Sequence, residues 1–290
     1  MRAALILVVL TCTAFAQPSA EVVVERVAAG FHFLNGPTWS PDDVLLFSDT
    51  PTDRQFRFTP GKGFAEIGSR AGGISATTFD AKGNMYVAEP RARRVTRTDK
   101  KGKVDVVAER FEGKKLNAPN DLVVRRDGNV YFTDPAFGEQ QESAELGFNG
   151  VFRVSPKGEL TAVARWKNRP NGIALTEDGR TLYVSDSDAQ TVHAFSLDKD
   201  GVASNDRVVI SKITGAPGGV RTDVAGNIYV AARNVFIYSP KGELIRTVEL
   251  GEAPSNLTFG DVDFQALYVT AGKSLYRVHA GVKGTVSYLP

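Results

Sequence analysis

Six positions stand at the same point of a recurring segment in this chain: Asn35, Ser75, Asn120, Asn171, Gly218 and Asn256. Each precedes an apolar, mostly aromatic anchor by about eleven or twelve residues. If the fold brings these positions to one place, four amides, a hydroxyl and a glycine meet there. Converging amide oxygens can ligate a hard cation or bind a polar small molecule. Asp121 directly follows Asn120, and a carboxylate at that point could act as general base on a water within hydrogen-bond reach. Acids also close the anchor segments at Asp49, Glu89, Asp134 and Asp186. Of these, Glu89 and Asp186 are candidate substrate contacts together with Ser75 and Asn256. A plainer reading competes at every position: Asn and Gly supply left-handed or Asx geometry to turns, and acids tie down loops. No second catalytic set is visible. His32, His193 and His279 are scattered, and there is no G-x-S-x-G elbow, P-loop or H-E-x-x-H.

The anchors define what must hold these residues. They fall in "VLLFSDT", "NMYVAEP", "NVYFTDP", "TLYVSDS", "NIYVAAR" and "ALYVTAG", about 40–50 residues apart, the spacing of propeller blades. Each anchor follows an apolar run and a turn such as "DAKGN", "RRDGN" or "TEDGR". Period-two alternation broken by Asp, Gly and Asn turns reads as β-hairpins. Third strands follow, for example "QFRFTP" and "GVFRVSP". The pattern predicts an all-β, six-bladed β-propeller with four-stranded blades, closed so that no long sheet edge is left open. The lone alternating stretch "EVVVERV" at 21–27 is the expected closing strand of the last blade. In such a fold the innermost strands line a central channel, and the six head positions crowd around one mouth.

Composition excludes several classes of function. With 35 Lys+Arg against 33 Asp+Glu and only the short basic stretch "PRARRVTR", the chain lacks the positive surface that nucleic-acid binding uses. Arg2 and the apolar run "AALILVVLTCTAFA" read as a signal peptide over residues 1–16, cleaved after Ala16. That leaves one propeller domain over 17–290, secreted or periplasmic, with no membrane association after cleavage. The single cysteine, Cys12, leaves with the signal, so thiolate metal sites, Cys nucleophiles and disulfides are excluded from the mature chain. A monomer acting on a small molecule is expected.

The stretches "NGPTWSP", "LNAPNDLVVRRDGNVYFTDPAFG", "FNGVFRVSPKGEL", "RPNGIALTEDGRTLYVSDS" and "NLTFGDVDFQALYVTAGKSLYRV" together span nearly the whole mature chain. This set resembles the regucalcin/gluconolactonase family of six-bladed propeller lactonases and esterases, and its bacterial gluconolactonase-like branch in particular. The resemblance implies a divalent metal, Ca²⁺ or Zn²⁺, at the channel mouth, polarising a lactone carbonyl. It implies Asn120 and Asn171 as metal ligands and Asp121 as the base or water-orienting residue. Two family ligand positions depart from the pattern: Asn35 stands where the family has Glu, and Gly218 where it has Asp. Hard-cation affinity follows carboxylate count, so metal binding should weaken by orders of magnitude unless another acid replaces them. The expected function is metal-assisted hydrolysis of a lactone or related sugar-acid ester. The alternatives are a catalytically reduced propeller that binds a polar small molecule without metal, and an interaction scaffold.

Overall fold

The computed structural model describes residues 22–288, so the expected signal segment lies outside the described residues. Among the described residues, six antiparallel four-stranded sheets form a ring, and a two-stranded ribbon pairs Arg110–Phe111 with Lys114–Lys115. The innermost strands begin at Leu34, Ala76, Leu122, Pro170, Val220 and Pro254. They contact one another in sequence order, and the last touches the first, which closes the ring. Five blades are built from consecutive strands. The sixth takes its outermost strand, Val24–Ala29, from the N-terminal end, antiparallel to Ser274–His279. The predicted closure is therefore observed, with the strand beginning three residues later than the sequence pattern placed it.

The repeated anchors have a physical explanation. In the second blade Asp80 accepts the N–H groups of Lys82 and Asn84 in the hairpin turn, and the Tyr86 hydroxyl reaches back to the same carboxylate. Asp223 does the same for Ala225, Asn227 and Tyr229 in the fifth blade, and Tyr268 donates to Asp261 in the sixth. An Asx-type turn thus sets the hairpin, and a buried tyrosine of the next strand locks to it. Apolar clusters fill the seams between blades; Tyr131, Tyr268, Phe47, Phe132 and Phe152 are among the largest fully buried side chains. Each such burial is worth roughly 1.5–3 kcal/mol before entropy is counted.

The two ends of the channel differ. At one end segment 284–288 crosses the opening: Thr285 N–H donates to the Thr222 carbonyl at 2.9 Å, and the Tyr288 hydroxyl to the Trp39 carbonyl at 2.9 Å. Only a small internal space of about 60 Å³ remains behind it. The other end holds a larger cavity.

Candidate functional site

That cavity has a volume of about 450 Å³ and is lined by Asn35, Ser75, Asn120, Asn171, Gly218 and Ser255, one residue from each blade. Phe33, Pro90, Phe137, Gln140 and Pro254 belong to its walls. Among the described side chains, none that lines it is charged. Five of the six predicted head positions therefore meet at one mouth. The N–H groups of Ser75, Asn120 and Gly218 each donate to the carbonyl of the matching residue in the next strand, Ala88, Thr133 and Ala231. The repeat places all three alike.

The sixth head position needs a correction. Asn256 does not line the cavity; Ser255 does. The sixth blade's innermost strand carries its β-bulge between Pro254 and Asn256, whereas the first blade's lies between Asn35 and Thr38. The earlier bulge turns Ser255 toward the mouth. Asn256 instead accepts the N–H of Leu257 at 2.8 Å and is buried.

A line of hydrogen bonds links the heads. Asn35 Nδ2 donates to Ser75 Oγ (3.4 Å), Ser75 Oγ to Asn120 Oδ1 (2.6 Å), and Asn120 Nδ2 to Asn171 Oδ1 (2.7 Å). Asn171 Nδ2 then donates to Ser187 Oγ (3.1 Å), which donates to the Pro217 carbonyl (2.8 Å). None of the three asparagines adopts a positive φ. Left-handed turn geometry therefore does not account for them; their amides bond across blades.

The acids are placed otherwise. Asp121 is 1% exposed and lies outside the cavity lining. Its Oδ1 accepts the N–H of Leu122 (2.9 Å), and its Oδ2 faces the N–H of Ile173 (3.3 Å) and Nη1 of Arg221 (3.2 Å). Glu89 is buried between Arg70, Arg94 and the Thr96 hydroxyl. Asp186 accepts the N–H groups of Asp188 and Ala189 and the Asn168 amide. Neither lines the cavity. Asp49 caps the loop at His32 and Phe33; burial pushes its carboxyl up, but these hydrogen bonds outweigh it and the net direction is down. Asp134 accepts the Asn117 N–H at 2.8 Å, and burial pushes its carboxyl up to about 7.

This donor set does not fit the family's divalent cation. Among the described residues the lining offers no carboxylate, and no group of three or more His, Cys, Asp or Glu that could hold a metal occurs. The position where the family has Asp is also closed. A Cβ at Gly218 would lie 2.3 Å from the Ser255 carbonyl oxygen, far inside contact distance. Ca²⁺ takes six to eight oxygens with carboxylates among them, and the head ring cannot supply that.

Several contributors were not singled out from sequence. Ser255 was hidden behind the neighbouring asparagine. Arg221 carried a signal: opposite the anchors, the innermost strands place Thr38, Thr78, Val123, Ala174 and Thr258, and only the fifth blade has a cation there. Phe33 sits on a loop whose path no periodicity reveals.

Comparison with known proteins agrees with this architecture. Residues 20–273 match the model of the SMP-30/Gluconolactonase/LRE-like region. A gluconolactonase of Zymomonas mobilis is 31% identical over 90% of this chain and 82% of its own length. A pentonolactonase of Haloferax volcanii is 28% identical over 81% of this chain and 80% of its own. The solved structure of a Xanthomonas campestris gluconolactonase superposes with a TM-score of 0.83 at 28% identity, covering 90% of each chain. On the family match and the propeller ring together, the chain belongs to the SMP-30/gluconolactonase/LRE-like family.

Proposed function

We propose that this protein is a secreted lactonase-type hydrolase, acting as a monomer on a lactone or a related ester of a sugar acid held at the mouth cavity. The observation that carries this reading is the head ring: polar side chains from four blades, hydrogen-bonded to one another, line one cavity large enough for a sugar-sized ligand. The gluconolactonase and pentonolactonase relatives support the substrate class. Phe33 and Phe137 supply apolar walls for the ring of such a ligand, and the amides supply hydrogen bonds to its oxygens. The apolar N-terminal run supports export.

For water activation the residue to test is Asp121. Arg221 Nη1 lies 3.2 Å from its Oδ2, and a carboxylate at this place is a candidate base for a water within hydrogen-bond reach. A water reaching it has to replace the Arg221 or Ile173 contact. No step is assigned to a divalent metal, because the head ring does not fit one.

A second reading, binding without turnover, is favoured by the absence of a carboxylate among the described side chains that line the cavity. Lactone hydrolysis followed by acid release separates the two. Turnover that falls at least a hundredfold in Asp121→Asn with the fold intact supports the hydrolase, and unchanged turnover removes Asp121 from the mechanism. Saturable lactone binding without turnover by the wild-type chain establishes the second reading.

A further inference from the structure

The hydrogen-bond line through the heads has a direction, and its last member fixes it. The Pro217 carbonyl can only accept, so the Ser187 hydroxyl gives its proton there. Ser187 Oγ must then accept from Asn171, which turns Nδ2 of that amide toward Ser187. Oδ1 of Asn171 consequently faces Asn120 and must receive its Nδ2. By the same step Asn120 Oδ1 faces Ser75 and accepts its hydroxyl, and Ser75 Oγ accepts from Asn35. Reversing any one amide sets donor against donor or acceptor against acceptor. A backbone atom thus dictates how three side-chain amides are oriented.

This orientation decides what the mouth can recognise. The Oδ1 atoms of Asn120 and Asn171, the two ligand positions carried over from the family, are already accepting within the line. A cation would have to pull both out of it. Each asparagine amide has two N–H bonds and uses one in the line, so Asn35, Asn120 and Asn171 each keep one N–H. A ring of spare donors suits an oxygen acceptor and repels a metal ion. The nearest acid in sequence is also committed: Asp121 is buried against Arg221, which neutralises it. The fifth blade cannot restore a carboxylate, because Gly218 packs against the Ser255 carbonyl.

We infer that the mouth takes its ligand directly on the amide N–H groups of Asn35, Asn120 and Asn171, with no divalent cation between. The ligand class is an uncharged molecule presenting a carbonyl or ring oxygen to these donors; that it is a lactone rests on the function proposed above.

The test uses the full mature chain and two probes, each measured calorimetrically: Ca²⁺, Zn²⁺ or Mn²⁺ alone, and a sugar δ-lactam as non-hydrolysable lactone mimic. The expected result is no saturable metal uptake and lactam binding that changes less than twofold with EDTA. Asn120→Ala and Asn171→Ala, checked for native circular dichroism, should weaken the lactam at least tenfold whether or not EDTA is present. One equivalent of tightly bound metal in the wild-type protein, or a tenfold loss of lactam affinity on chelation, overturns the inference without any variant having to fold. Absence of lactam binding with and without metal overturns the lactone reading, while the metal titration still judges the donor ring by itself.

Discussion

Blades one to four and blades five and six treat the same positions differently. In the first four, the heads are Asn35, Ser75, Asn120 and Asn171, and the second strands end in Asp49, Glu89, Asp134 and Asp186. In the last two, the heads are Gly218 and Ser255, and alanines, Ala232 and Ala271, stand at the positions that match those acids. In the first arc the acids hold loops: Asp49 takes the N–H groups leading into the first blade, and Asp134 that of Asn117, three residues before Asn120. The second arc joins mainly through backbone. Gly218 accepts from the Gly172 N–H and the Ser185 hydroxyl, Gly219 donates to the Ser255 carbonyl, and Ser255 Oγ donates to the Leu34 carbonyl. One arc presents side chains to the cavity, and the other holds the ring shut. Sixfold repetition therefore gives a ring that is regular in strand count and lopsided in chemistry.

The largest expected effect comes from the pair that ties the arcs together beneath the heads. Arg221→Leu leaves the buried Asp121 carboxylate without its cation, and loss of one partner of a buried pair costs about 3–5 kcal/mol. Urea unfolding should register that loss, and a change below about 1 kcal/mol would show that the pair does not bridge the arcs. Next comes pH. Asp134 is pushed up to about 7 from an ordinary 3.8, so the folded state holds a proton that the unfolded chain has released between those values. Stability contributed by this group is therefore fully present below the unfolded pKa, declines as pH rises through the window, and is lost above about 7. The span corresponds to at most ~4 kcal/mol. Thermal melts of Asp134→Asn should lack that component, and an identical pH slope in wild type and variant would remove Asp134 as its source.

Closing the seam with a methyl group is a somewhat smaller perturbation. Gly218→Ala drives a Cβ into the Ser255 carbonyl, an overpacking worth roughly 1–3 kcal/mol. Denaturant midpoints should fall accordingly, and a neutral result would mean that the two strands separate freely. The smallest stability effect belongs to Ser255→Ala, which removes a hydroxyl hydrogen bond worth roughly 1 kcal/mol. Ligand affinity should barely move with it, in contrast to Asn120→Ala in the first arc. Equal losses of affinity from the two would erase the distinction between the arcs.

Much of this was legible in the residues. The hairpins announce themselves because an Asp turn and a Tyr anchor recur at fixed spacing, each locking to the other. The heads could be found by counting from those anchors, and Asn35, Ser75, Asn120, Asn171 and Gly218 do line one cavity. Counting failed where the backbone bulges earlier, which exchanged Ser255 for Asn256. It also could not show where Asp121 points. That depends on Arg221, one hundred residues further along the chain. The hydrogen-bond direction through the amides was beyond reach for the same reason, since a carbonyl from another blade sets it.

With segment 284–288 laid across one mouth, the described residues leave this propeller open at the opposite lip. Whatever arrives must leave by the way it came, so one molecule has to depart before another can be received. Exchange at that lip, under Phe33 and Phe137, thus becomes a physical ceiling on how quickly the protein can work.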